Sequence, residues 1–311
     1  MMVLGLDTSN YTTSIAAFDG REGTNVSRLL DVKPGELGLR QSDALFSHVK
    51  RLPELAERLF AHVGRQKIAA VGVSTRPRAV EGSYMPCFLA GESQASVLAA
   101  ALGVPVIRVS HQQGHIAAAL WSAGRMDLMD RPHLAWHLSG GTTELLLVEP
   151  EGKNVRATRL GGTTDISAGQ IIDRTGKTLG LQFPAGKALD ALAQGATGKQ
   201  QFRVKVDGLQ FSFSGLENKM QAFFRESGSP EETAAYVLRS VCGAVVRATE
   251  AALSEYPGLP VVFSGGVASN SQLRDACRKF SPVFAEPRYS TDNAMGVAVL
   301  AWRLGEAQWN R

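Results

Sequence analysis

One layout occurs twice along the chain, and that repetition limits the possible folds more than any single motif does. Residues 3–19 read as an apolar strand, a polar turn over 7–13 and a second apolar run over 14–18, the pattern of a hairpin. From His133 the same order returns: an apolar run over 134–138, a turn over 139–143 and an apolar run over 144–148. Each copy leads to a further strand-like stretch, residues 25–32 and 154–160, and then to helical sequence. The later parts correspond too. Buried-type strands at 69–74 and 260–264 run through glycine-containing loops into helices over 91–101 and 271–280. Short strands at 105–109 and 282–285 follow, and each half closes on an Ala-rich helix, one beginning at His111 and one at Asp292. The period is too long for a solenoid. It predicts two β-rich α/β lobes facing each other across a cleft, over residues 1–128 and 129–311, with the last helix (about 292–306) packing back near the cleft.

Composition narrows the function classes. At 44% hydrophobic and 20% charged residues the chain reads as an ordinary globular protein. A net charge of +4, with Lys and Arg scattered, permits a nucleic-acid partner without demanding one. Cys87, Cys242 and Cys277 have no metal-binding spacing, and an odd, sparse set fits a reducing compartment. The opening residues 1–7 carry no basic segment and meet an acid at Asp7, so they read as a strand rather than a signal peptide. No apolar run approaches the ~18 residues of a membrane span. A cytoplasmic location is expected.

Chemistry concentrates at a few loops and helix starts. His111 and His115 stand at i and i+4, on one helix face and within reach of one metal ion; the same spacing also suits an ordinary surface or core pair. The duplicated layout sets residues 290–294 opposite that pair and makes Asp292 the third ligand of a His₂-carboxylate set with positions open for substrate. Residues 139–143 (SGGTT) and 264–270 (SGGVASN) are strand-to-turn loops with paired glycines, able to bring backbone N–H groups against a phosphate or simply to turn tightly. The second loop opens a helix, whose N-terminus also favours an anion. No GxxxxGK[ST] sequence is present, which argues against a P-loop NTPase. Asp173, on a helix capped near Ser167, and Asp190, on a helix after the turn 183–186, are candidates for ribose hydroxyls or plain helix residues. Residues 210–216 read either as a strand with Phe211 and Phe213 on one face, or as a strand-to-helix junction with Ser214 near the cap.

Taken in order, these segments resemble the tRNA threonylcarbamoyltransferase (TsaD) family. HQQGH at 111–115 is similar to its HxEGH element, SGGTT at 139–143 to SGGHT, GQIIDR at 169–174 to GEAFDK, and GGVASN at 265–270 to GGVAAN. FSFSGL at 211–216 and TDNA at 291–294 match directly. The resemblance implies a duplicated actin-like (ASKHA, ribonuclease H-like) fold. It implies one divalent metal, iron or zinc, on His111, His115 and Asp292. Backbone around Leu138, Ser139, Gly140 and Gly141 would hold threonylcarbamoyl-adenylate, with Asp173, Gly186, Asp190 and Asn270 lining the adenylate pocket. The implied reaction moves the threonylcarbamoyl group to N6 of the adenosine beside the anticodon, in tRNAs reading codons that begin with A, and releases AMP. TsaB-like and TsaE-like partner proteins are implied, and no membrane.

Some positions depart from the family pattern. Gln113, Thr142 and Gln170 stand where it has an acid, a histidine and a glutamate; residues 7–13 and 76–80 also differ. An expected loss of charge beside the metal makes a catalytically divergent nucleotide- and metal-binding paralog the alternative. A zinc peptidase is disfavoured, because the glutamate of HExxH is missing.

Overall fold

The apolar run before Asp7 becomes a strand buried along its whole length, β1 (Met2–Asp7). The computed structural model describes residues 1–309 apart from Asn10, residues 32–38 and Arg65; the expected strand end at Val32 and part of the turn over 7–13 lie outside the described residues. After β1 come β2 (Thr12–Phe18), β3 (Gly23–Leu29), α1 (Gln41–Val63), β4 (Ile68–Arg76), α2 (Phe88–Leu102), β5 (Val106–Ser110) and α3 (His111–Ser122). The chain continues through β6 (His133–Leu138), β7 (Thr143–Glu151), β8 (Asn154–Thr163), α4 (Ala168–Thr178), α5 (Gly186–Ala193), β9 (Val206–Asp207) and β10 (Gln210–Phe211). It ends with α6 (Ser214–Ser227), α7 (Pro230–Glu255), β11 (Val261–Ser264), α8 (Ser271–Cys277), β12 (Val283–Phe284) and α9 (Met295–Trp309).

The duplication is visible in strand order. One sheet runs β3-β2-β1-β4-β5, and the other contains β8-β7-β6-β11-β12 in the corresponding places, with β10 and β9 added beyond β8. In both, the opening hairpin is antiparallel and the inner strand pairs in parallel with the next one.

Two compact units result. The first comprises Met1–Arg131, Glu149–Ala157 and the chain from Asp292 onward; the second comprises Pro132–Val148 and Thr158–Thr291. In place of a single division after residue 128, the chain crosses between the units four times, after residues 131, 148, 157 and 291. The reason is packing: α9 lies on β1, β4 and α3 of the first unit. Gly5 in β1 makes this possible, since a Cβ there would sit 2.6 Å from Ala294 O and Ala298 N. Leu4, Leu6, Val71 and Val73 face the other way, into a core shared with Leu52, Leu55 and Leu59 of α1 and Ala95 and Ala99 of α2. Burial of each such large aliphatic side chain is worth about 1.5–3 kcal/mol.

The second unit is centred on Trp136, Phe211, Phe213 and Phe263 against Val237, Val241 and Val245 of α7. Trp136 Nε1, deep in this core, donates to Thr249 Oγ1 at 2.9 Å, so its one polar atom is satisfied. The alternation over 210–216 ends as a strand at Phe211, and α6 begins at Ser214, which is the junction arrangement. Asp165 sets this corner by accepting from Phe213 N at 2.9 Å, Ser214 N at 3.2 Å and the Ser212 hydroxyl. Among the described residues no helix is long and apolar enough to cross a membrane.

Candidate functional site

The His pair opens α3, whose first residue follows directly on β5. Ser110 caps the helix and Gln113 closes a capping box with it, so both imidazoles start from a fixed first turn. Between them Gly114 packs closely on α9: a Cβ on Gly296 would fall 1.8 Å from Gly114 O, and one on Gly114 would lie 3.2 Å from Val297 Cγ2. That close approach of α9 carries the preceding residue Asp292 to the pair. His115 Nε2 lies 2.9 Å from His111 Nε2 and 3.2 Å from Asp292 Oδ1, and His111 Nε2 lies 3.6 Å from the same oxygen. The sequence expectation set Asp292 opposite the histidines on a facing lobe. Instead it reaches them through helix packing within one unit.

These three atoms fit a metal. Bonds of about 2.0–2.1 Å place ligand atoms about 3.4 Å apart around a tetrahedral ion and about 3.0 Å apart at right angles around an octahedral one. The observed 2.9, 3.2 and 3.6 Å span both geometries. Behind the set, Asp7 Oδ2 sits 2.7 Å from His111 Nδ1, and its other oxygen accepts from Ser9 N at 2.8 Å. A carboxylate on Nδ1 fixes the tautomer that leaves Nε2 free to ligate. Burial alone would depress the His111 pKa; Asp7 and Asp292 on either side override it and push it up to about 10. Burial acts to raise Asp292, and the two imidazoles hold it well below the usual carboxylate range. A metal bound here would displace a proton from His111.

Gln113 does not face this cluster. Its Oε1 accepts from Ser110 N at 2.9 Å and its Nε2 donates to Val155 O at 2.8 Å. Gln170 repeats the device at α4, where Oε1 accepts from Ser167 N at 2.8 Å. Each of these glutamines thus closes a capping box, as a glutamate in the same place does. Thr142 belongs to the turn: its N–H donates to Ser139 Oγ at 3.0 Å and its carbonyl accepts from Ser139 N at 2.8 Å.

The remaining candidates lie in the second unit. Leu138 ends β6 and is buried. Ser139 O accepts from Gly169 N at 3.2 Å, and Gly140 O from the Ser167 hydroxyl at 2.6 Å, so this loop is stapled to the start of α4. Nothing lies within 4 Å of where a Cβ on Gly140, Gly141 or Gly266 would project, so backbone at both glycine loops borders open space. The acids are differently placed. Asp190 accepts from Asn270 Nδ2 at 2.8 Å, Ser271 Oγ at 2.8 Å and Ser271 N at 3.0 Å. Asn270 Oδ1 caps Leu273 N at 3.0 Å. The anion expected at the start of α8 is thus supplied by the protein itself. Asp173 accepts from Ala185 N at 2.8 Å, just ahead of Gly186, and burial raises its pKa.

Sequence reasoning missed Asp7 as the support for His111. The available signal was an acid ending a fully apolar strand, a position where an unpaired charge is costly and a partner is therefore required.

Comparison with known proteins adds to this geometry. A sequence profile described as tRNA N6-adenosine threonylcarbamoyltransferase matches residues 36–299. A protein of that name from Carboxydothermus hydrogenoformans is 31% identical over 97% of this chain and 91% of its own length. Among solved structures, component A of the Acidaminococcus fermentans (R)-2-hydroxyglutaryl-CoA dehydratase superposes with a TM-score of 0.58 at 15% identity, covering 98% of this chain and 99% of that one. The ROK hexokinase of Thermus thermophilus gives a TM-score of 0.51 at 20% identity, over 99% and 100%. At such identities the structural likeness speaks for the fold alone, a duplicated α/β fold of actin-like type.

Proposed function

The chain belongs to the family of tRNA N6-adenosine threonylcarbamoyltransferases, which are acyl-transferring enzymes, and we infer that it moves threonylcarbamoyl from threonylcarbamoyl-AMP to N6 of the adenosine beside the anticodon, releasing AMP. Its substrates are tRNAs reading codons that begin with A. The observation that carries this reading is the convergence of His111, His115 and Asp292, from two segments nearly two hundred residues apart, with their ligand atoms within 4.8 Å of one another. A divalent ion held there, iron or zinc, would supply Lewis acidity for the transfer.

The chain's own groups account for the rest. Asp7 holds the His111 ring so that Nε2 points into the set. Backbone N–H groups at Gly140 and Gly141 are the candidates for the adenylate phosphate, whose developing charge they would stabilise as AMP leaves. Leu138 and Ser139 anchor that loop; Asp173, Gly186, Asp190 and Asn270 would form the wall for the nucleoside, with Asp190 acting through Asn270 and Ser271. The mixed anhydride already stores the activation energy, so no protein nucleophile is required. TsaB-like and TsaE-like partners in the cytoplasm would supply the adenylate and contact tRNA.

A divergent paralog would follow if Gln113, Thr142 and Gln170 had stripped the site of charge and imidazole. Both carboxamides are committed to helix caps, which favours the enzyme. The test is formation of the modified nucleoside, read by mass spectrometry, from threonylcarbamoyl-AMP and unmodified tRNA with the partner proteins present. His111→Ala should abolish it. Wild-type protein that binds adenylate normally yet yields no modified nucleoside would sink the assignment.

A further inference from the structure

Nine of the ten large apolar side chains exposed on the described surface belong to the first unit; the second has one, Phe183, at 84% exposure. It stands beside the exposed Pro184 in the loop between α4 and α5, whose leucines and Ala185 turn inward. Leu179 and Leu181 pack on Ile172 and Leu189, and Ala185 is buried. The loop is tied down at both ends. Leu179 N donates to Thr175 O at 3.0 Å, Gly180 N to Lys177 O at 3.2 Å and Leu181 N to Gly176 O at 2.8 Å. At the far end Ala185 N donates to Asp173. Gly176 lets this end close, because a Cβ there would meet the Ala185 Cβ at 2.1 Å. A phenyl ring is therefore held outward on a braced loop, with none of its own unit's apolar surface over it.

Its flanks are basic. Lys177 in the last turn of α4 and Lys187 in the first turn of α5 are both exposed, and neither forms an ion pair with a described residue. A braced aromatic ring with exposed lysines before and after it in the chain suits a polyanion that carries flat rings. On the transferase reading, such a ligand is required: N6 lies on the pairing edge of adenine, and RNA bases offer that edge only when unpaired and splayed onto an aromatic or guanidinium surface.

We propose that the loop at residues 179–185 is a stacking platform for an unpaired nucleobase of the RNA substrate, with Phe183 as the ring and Lys177 and Lys187 as its phosphate contacts. The identity of the ligand rests on the transferase reading; the platform itself rests on the exposed ring and its bracing. Phe183 touches no reacting atom and acts as a positioning residue.

The experiment measures binding of fluorescent, unmodified tRNA by the full chain at low salt, beside a fully paired RNA duplex and AMP. Phe183→Ala should weaken tRNA binding about 10-fold or more, leave duplex and AMP affinity unchanged, and raise KM for tRNA with little change in kcat. Phe183→Trp should restore tRNA binding. Replacing Lys177 and Lys187 with Ala should lower the salt dependence by about one phosphate contact each. Equal tRNA affinity in Phe183→Ala within twofold would overturn the platform, as would equal losses for duplex and tRNA, or wild-type protein that retains no tRNA. A wild type that binds tRNA through Phe183 yet transfers nothing would overturn the transferase reading and leave the platform standing. Melting temperatures of the variants should match wild type, since the ring supports no core.

Discussion

In the first unit, His111, His115 and Asp292 present three ligand atoms to one point, while Asp7 steadies them from behind. In the second, Asp173, Asp190 and Asn270 spend their polar atoms on Ala185, Ser271, Leu273 and one another. The same residue types thus do different work. Where donor atoms converge without backbone partners, the set can bind an ion; where they are bonded to backbone and neighbours, they shape loops. Open space in the second unit borders the backbone at Gly140, Gly141 and Gly266.

The widest expected separation is in metal content. Asp292→Ala or His115→Ala should reduce metal affinity by about 100-fold or more, and Asp7→Asn by about 10- to 100-fold, with melting temperature changed far less. Titration with iron or zinc under a competing chelator reads this directly. Equal metal affinity in Asp7→Asn would remove the supporting role of the buried carboxylate.

Asp190→Ala should behave in the opposite way. It strands the Asn270 amide and the Ser271 N–H, at a cost of about 2–3 kcal/mol in urea unfolding, with metal content intact. A variant of wild-type stability that had merely lost nucleotide affinity would place Asp190 on the ligand instead.

A third contrast lies inside the first unit. His48 is fully buried against Thr13, with Nδ1 2.8 Å from the hydroxyl, and burial lowers its pKa to about 4. The unfolded chain therefore takes up this proton first as pH falls. The contribution to stability is complete above about pH 6.5 and fades toward pH 4, with about 2 kcal/mol gone by pH 5. His48→Gln should flatten that part of the stability profile; a slope unchanged from wild type between pH 7 and 5 would contradict it.

The smallest effect concerns Gln113→Glu. The cap on Ser110 survives and the donation to Val155 O does not, for a loss of about 1–2 kcal/mol and no gain in activity. A rise in transfer rate would mean that this side chain acts on the site after all.

Much of this was legible in the sequence because local pattern and long-range order agreed. The repeated hairpins predicted that the two halves carry corresponding strands, and Ser110 and Ser167 stand where capping serines should. Asp292 was placed beside the histidines, although by the wrong route: duplication suggested facing lobes, and the actual cause is α9 packing on α3 through Gly114 and Gly296. Close approach of two backbones leaves only glycines in the sequence, which read equally as turns. The direction of the Gln113 side chain was not legible either, because its partner Val155 lies on a hairpin 42 residues away. Asp190 stayed ambiguous for a similar reason, its partners being 80 and 81 residues distant.

The central claim, that three side chains of the first unit form a metal centre, is most directly tested by anomalous diffraction at the iron and zinc edges from crystals of metal-reconstituted protein. The predicted result is one peak per chain, about 2.0–2.2 Å from His111 Nε2, His115 Nε2 and Asp292 Oδ1. A map without that peak, in which the three side chains remain hydrogen-bonded to one another, would contradict it.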